Sequence, residues 1–278
     1  MRLRPLIPLW VLSIALAGMA DAAELHEQTP NVSEIRFVPV KPTPDSDNVE
    51  TRVVFPQTRD IQTRNPVDIQ IRLDGYPLRT YSQFPRAKEV ANYNEEGQSL
   101  HIVVDNYPYI ARNEAIVDAL DNTLDYYDQV LEFDLPMDLS PGMHVLRVFP
   151  ARSYGESIKT DGSFTARVFY YRSKTPTLNV DLSQPYLTAN QPQGEITYDP
   201  KKPVLFDFYL TNVLLSKDGY KVRVTLDGTI QRILLTWAPY YIYGLKRGDH
   251  TIKLELLDEQ NKVAPGIFNT VERKFSLN

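Results

Sequence analysis

The feature that most constrains this chain is that its second half repeats its first. Residues 66–78 (PVDIQIRLDGYPL) align with residues 203–215 (PVLFDFYLTNVLL). Residues 100–106 (LHIVVDN) align with residues 222–228 (VRVTLDG), and residues 139–148 (LSPGMHVLRV) with residues 245–254 (LKRGDHTIKL). The order is the same in both halves, and each matched piece has strand periodicity. The reading is two copies of one all-β unit, each roughly 100 residues long.

The alternation supports this. Ile69, Ile71 and Leu73 alternate with polar residues, as do Leu131, Phe133 and Leu135. Val204, Phe206, Phe208 and Leu210 form one face in the second unit, followed by Val222, Val224 and Leu226, then Ile252, Leu254 and Leu256. Period two with turn signals at about ten-residue spacing points to an antiparallel sandwich. Parallel sheets would need helical crossovers, for which there is almost no room. The fold class expected is therefore all-β, as tandem antiparallel immunoglobulin-like β-sandwiches. One short helix is expected over residues 113–121 (NEAIVDALD), within an insertion at 110–130 that the second unit lacks.

The N-terminus gives a destination. Arg2 and Arg4 precede an apolar run, and Ala20-Asp21-Ala22 has small residues at cleavage spacing. That pattern reads as a signal peptide over residues 1–22, too short in its apolar core to span about 30 Å of hydrocarbon. Residues 23–48 read as a Pro-rich flexible tail. Within it, residues 35–40 (IRFVPV) could dock on a sheet edge, with free coil the favoured state. Domain 1 is placed at 49–173 and domain 2 at 174–278, the latter expected to fold alone.

The chain has no cysteine, which removes disulfides, thiol catalysis and thiolate metal sites. Its formal net charge is −5 with both signs well mixed. There is no basic stripe to follow phosphates, so nucleic acid is not an expected partner, nor is membrane insertion after signal cleavage. An exported location is expected, periplasmic or secreted and surface-associated.

Two resemblances follow from particular residues. Leu245-x-x-Gly248-x-His250-Thr251-Ile252-x-Leu254, followed by Asp258-x-x-Asn261, resembles the turn and penultimate strand of bacterial immunoglobulin-like domains. Leu139-x-x-Gly142-x-His144-x-Leu146-x-Val148 matches the same piece. Residues 85–90 (PRAKEV), 199–212 and 238–258 resemble segments of a family of exported chlamydial proteins. That second resemblance implies source and export, and it transfers no site residue.

Candidate chemistry is sparse. The four histidines are His26, His101, His144 and His250. His144 and His250 occupy equivalent repeat positions and share a face with core residues. A structural role, with the imidazole bonded to turn backbone, is expected over a metal site. The acids in and just after the insertion, among them Asp118, Asp121, Asp125, Asp134 and Asp138, suggest calcium only weakly, because no D-x-D-x-D-G loop is present. No metal or other cofactor is expected. There is no nucleophile elbow, P-loop or dinucleotide fingerprint, so an enzyme is not expected, with a hydrolase kept as a remote alternative.

Aromatic residues remain. The chain has 17 tyrosines, and the candidate interaction surface is Tyr109, Tyr126, Tyr127, Trp237, Tyr241 and Tyr243. Tyrosine and tryptophan offer large area with a polar handle. The favoured function is a non-catalytic exported interaction module, protein-binding or structural, of unknown ligand. The alternative is carbohydrate recognition through exposed aromatics.

Overall fold

The computed structural model describes residues 34–44, 48–92, 96–114, 128–178 and 180–278. The expected signal peptide, the remainder of the tail, most of the 110–130 insertion with its expected helix, and Tyr126 and Tyr127 lie outside the described residues.

In chain order the strands of the first half are β1 (Arg36–Pro39), β2 (Glu50–Phe55), β3 (Ile61–Gln62), β4 (Asp68–Asp74), β5 (Ser99–Val104), β6 (Ile110–Arg112), β7 (Asp128–Asp134), β8 (Gly142–Ala151) and β9 (Thr165–Tyr171), with one helical turn, α1 (Arg86–Glu89), between β4 and β5. The second half adds β10 (Tyr186–Gln191), β11 (Gly194–Ile196), β12 (Val204–Thr211), β13 (Lys221–Leu226), β14 (Ile230–Leu234), β15 (Tyr240–Tyr243), β16 (Gly248–Leu257) and β17 (Thr270–Leu277). The fold is all-β.

The first sandwich pairs a three-stranded sheet, β2-β4-β7, with a five-stranded sheet, β3-β9-β8-β5-β6. The second pairs β1-β15-β12-β10 with β11-β17-β16-β13-β14. Apart from β1, the connectivity is the same in both. Even the short parallel pairing of β3 with β9 recurs as β11 with β17. The three aligned sequence pairs fall on β4 and β12, β5 and β13, and β8 and β16.

Each sandwich has its own core. Ile69, Ile71 and Leu73 meet Leu100, Ile102, Leu146 and Val148 in the first. Phe206, Phe208 and Leu210 meet Val222, Val224, Ile252 and Leu254 in the second. Burying such faces is the main favourable contribution to each fold, at about 25 cal/mol per Å² of apolar area.

Strand burial shows how the two sandwiches meet. β5 and β10 are buried at every position, and β8 and β12 at all but one. Side chains alternate across a strand, so burial without alternation means that both faces are covered. In β8, Leu146 and Val148 enter the core while Val145, Arg147 and Phe149 leave it. In β12, Phe206 and Phe208 point into the core, and Leu205, Asp207 and Tyr209 point away from it. The outward sets of the two sandwiches pack together. Val103 and Phe149 meet Tyr209, Val145 meets Tyr186 and Phe268, and Val90 and Tyr154 meet Leu205 and Tyr241. The sheets therefore stack face to face, with a seam between the sandwiches.

Two expectations are corrected. Free coil was favoured for residues 35–40, but Arg36–Pro39 is strand β1, antiparallel to β15 with Phe37 opposite Ile242. Phe37 reaches the second core, 5.9 Å edge-on to Phe206. Docking prevails because β15 would otherwise leave an open edge and the alternating segment has a core to enter. The edge strand of the second sandwich thus precedes the first sandwich in sequence. The other correction concerns the insertion at 110–130, whose first residues form β6 on β5, the counterpart of β14 on β13.

Candidate functional site

The two repeat histidines are structural clamps. His144 lies with Nδ1 2.8 Å from Asp105 Oδ2 and Nε2 2.7 Å from the Ser140 carbonyl. His250 repeats this with Asp227 at 2.8 Å and the Lys246 carbonyl at 2.8 Å. Each aspartate follows a strand in left-handed backbone, φ 49° in both cases, and its other oxygen accepts the next N–H, from Val145 or Thr251. Two acceptors on one ring require two N–H donors, which for His144 means the imidazolium. Burial opposes that charge at His144, but the bonds to Asp105 and Ser140 and the Asp105 charge outweigh it, so its pKa is raised. Among the described residues, no group of three or more His, Asp or Glu could hold a metal ion.

The candidate aromatics lie largely in the seam. Tyr241 is 7% exposed; its hydroxyl donates to Glu89 Oε2 at 2.6 Å, and burial followed by Glu89 pushes it up to about 12. Trp237 is half-buried against Tyr209 at 5.2 Å and donates Nε1–H to the Phe208 carbonyl at 2.9 Å. Tyr243 is half-buried beneath the Arg36 guanidinium, 5.1 Å from its ring centre. Tyr109 stacks on His101 at 3.8 Å with planes 7° apart. Tyr109, Trp237, Tyr241 and Tyr243 thus belong to packing rather than to an open stacking face. The reason is the seam, which covers strand faces that alternation alone would leave in water.

What the seam brings together is a polar chain that aromatic reasoning missed. Asp207 on β12 is fully buried. It accepts from Lys159 Nζ at 2.7 Å, Ser157 Oγ at 2.7 Å, Ser157 N at 3.1 Å and Asn190 Nδ2 at 2.7 Å. Lys159 and Ser157 come from the first sandwich, Asp207 and Asn190 from the second. Asn190 Nδ2 also donates to the Gly155 carbonyl at 2.7 Å. Only an NH₂ can face two acceptors, so Asn190 Oδ1 faces His101 Nδ1, 2.7 Å away. Nδ1 must then carry the proton, which leaves Nε2 as a lone pair. Burial lowers His101 to about 4, so the ring is neutral near pH 7.

His101 lines a cleft at this end of the seam, with a volume of about 260 Å³. Tyr109, Tyr154, Arg152, Gln193 and Glu195 also line it. Gln193 is occupied at both ends by the Tyr109 backbone, at 3.0 and 2.9 Å. Asn92 Nδ2 donates to Gln191 Oε1 at 2.9 Å, and Gln191 Nε2 donates to Tyr109 Oη at 2.7 Å. Groups at the cleft without a protein partner include the His101 lone pair and the exposed Glu195 carboxylate, beside the Thr197 hydroxyl and the Tyr109 O–H, whose oxygen takes the Gln191 bond and whose proton has no acceptor.

No protein-family model matches the chain, and no curated protein matches it. Solved structures similar to it include fibronectin(III)-like modules of Clostridium thermocellum CbhA. These share 10% identity and a TM-score of 0.27, over 82% of this chain and 94% of that one. The chicken CNTN1 FN1-FN3 domains share 9% identity at TM-score 0.21, over 86% and 68% of the two chains. Bacteroides ovatus SGBP-B, solved with a mixed-linkage heptasaccharide, shares 10% at TM-score 0.19, over 82% and 47%. Likeness at this level says nothing of what this chain binds; the sandwich fold stands on its own strand order. Among the described residues, no helix is long and apolar enough to cross a membrane.

Proposed function

We propose that this protein is a non-catalytic exported interaction module whose two sandwiches act as one body and bind partners at their surface. The supporting observation is the state of its reactive groups. Asp207, Lys159, Ser157 and Asn190 are tied to one another inside the seam, and His144 and His250 to their aspartates. Among the described residues the one imidazole with a free edge, His101, is held near 4, too weak a base for general-base work at neutral pH. No hydroxyl or carboxylate among the described residues is hydrogen-bonded to its Nε2. Export is proposed from the pattern of residues 1–22. Protein partners are the leading reading. Carbohydrate recognition is the second, favoured by the polar cleft beside His101.

The test is a panel of chromogenic esters, glycosides and phosphate esters, read with wild type and His101→Ala, together with fractionation of expressing cells. The expected result is no turnover in either protein and recovery outside the cytoplasm with residues 1–22 removed. Turnover that depends on His101, or retention of an intact N-terminus in the cytoplasm, overturns the proposal.

A further inference from the structure

We infer that the cleft beside His101 binds a neutral polyhydroxy ligand, on the scale of one sugar ring, through the His101 Nε2 lone pair. This rests on the reading above that the cleft binds and does not react.

The first observation is an acceptor that no protein group satisfies. His101 is 3% exposed, and its sole side-chain hydrogen bond is Nδ1 to Asn190. The residues behind it hold the ring in that state. Asp207 fixes the Asn190 amide, the amide fixes the tautomer, and Tyr109 covers one ring face. A purely structural histidine in this chain does the opposite, since His144 and His250 bond both nitrogens to protein.

The second observation is the sign of what is free. The lone pair and Glu195 are acceptors and call for donors, while the Tyr109 and Thr197 hydroxyls can also give a proton, so an occupant must both donate and accept. An anion would find Arg152 but also the Glu195 carboxylate and the His101 lone pair. A cation would find Glu195 but also Arg152 on the same wall. Hydroxyl groups satisfy the acceptors without carrying charge, and they can take hydrogen bonds as well as give them. The volume of about 260 Å³ is far more than the ~30 Å³ share of one water, so a single bridging water does not fill it.

The test uses the full chain labelled with ¹⁵N-histidine. Long-range ¹H–¹⁵N spectra should show His101 with a protonated Nδ1 and a bare Nε2. D-glucose, D-galactose and N-acetyl-D-glucosamine are then titrated separately, with methylammonium and guanidinium as cation probes. At least one sugar should move the Nε2 resonance saturably, and neither cation should. His101→Phe should abolish binding while its melting shows it folded. Glu195→Gln, on an exposed side chain, should weaken binding two- to tenfold and carries the test should His101→Phe not fold. Response to cations alone, to no probe, or undiminished sugar binding in the folded His101→Phe and in Glu195→Gln overturns the inference. Sugar recovered chemically altered from a saturable complex would refute the non-catalytic reading and leave the binding inference standing.

Discussion

Lys159 of the first sandwich holds its ammonium 2.7 Å from Asp207 of the second, a carboxylate with no solvent exposure. Removing one partner of such a pair strands the other charge in the interior, which costs about 3–5 kcal/mol. Lys159→Met should therefore lower the urea midpoint sharply. Lys159→Met combined with Asp207→Asn should recover part of the loss, because the uncharged amide no longer needs a counter-ion. Additive losses in that double-mutant cycle would show that the pair does not couple the sandwiches.

Arg147 is another charge in the seam, 1% exposed on β8. Its Nη1 donates to the Leu187 carbonyl at 2.9 Å and to Thr188 Oγ1 at 2.8 Å, and Nη2 donates to the Asp105 carbonyl. The guanidinium sits 3.9 Å above the Phe268 ring. Burial lowers its pKa to about 9, which still leaves it charged at pH 7. Arg147→Ala should cost roughly 3 kcal/mol, since two sandwiches lose bonds and carbonyls are left unpaired. Arg147→Lys should restore less than half of that, as one ammonium cannot span the same acceptors. Full restoration by lysine would mean that charge, not the planar fork, is what the seam uses.

The buried histidines set a pH dependence. His144 is raised above its unfolded value of about 6.5. Its contribution is complete below that pH and is lost as pH rises through the folded value. His101 is lowered to about 4, so between 4 and 6.5 the unfolded chain binds a proton that the folded chain refuses. Its effect is therefore a loss of stability as pH falls below 6.5. Stability should peak near pH 6.5 and decline on both sides. His144→Gln should flatten the alkaline limb and His101→Phe the limb between 4 and 6.5, in urea melts taken across that range. His250→Ala, at the equivalent clamp, should cost about 1–2 kcal/mol without altering metal content.

Core faces and turns were readable because period two reports which side of a strand is dry, and both cores were built on the alternating residues named from the sequence. The seam was not readable from that pattern, because a strand covered on both faces still shows one apolar set and one mixed set. Signals were nonetheless present. Arg147 stands alone in VLRVF and Asp207 in VLFDF, and a single charge amid apolar strand residues implies a buried partner. Tyr241 and Tyr243 read as a candidate interaction surface for the same reason. Tyr241 and Tyr243 point away from their own core, but toward the other sandwich and the Arg36 side chain rather than toward water. His101 could not be separated from the other histidines by sequence, since its tautomer depends on Asn190, 89 positions away.

The segment before the first sandwich ties both units together. β1 supplies the edge of β15, with Arg36 to Pro39 opposite Tyr243 to Tyr240. Five residues beyond Val38, the Thr43 hydroxyl donates to Glu156 Oε2 at 2.6 Å in the first sandwich, and its N–H donates to Oε1 at 2.9 Å. Arg86 joins Glu156 and the Lys41 carbonyl. A chain beginning at Val49 should therefore lose Phe37 from the second core, an edge ladder, and two bonds to a carboxylate that is 2% exposed. Roughly 3 kcal/mol is expected, which at about 2–4 °C per kcal/mol for a chain of this size lowers Tm by about 6–12 °C. A peptide of residues 34–44 added in trans should recover part of the shift, because strand addition restores the ladder without a covalent link. Residues 174–278 alone, expected from sequence to fold, should melt lower still, and fusing residues 34–44 ahead of them should raise that melting point. Unchanged melting on truncation, or no response to the peptide, would show that β1 only decorates an edge that is stable without it.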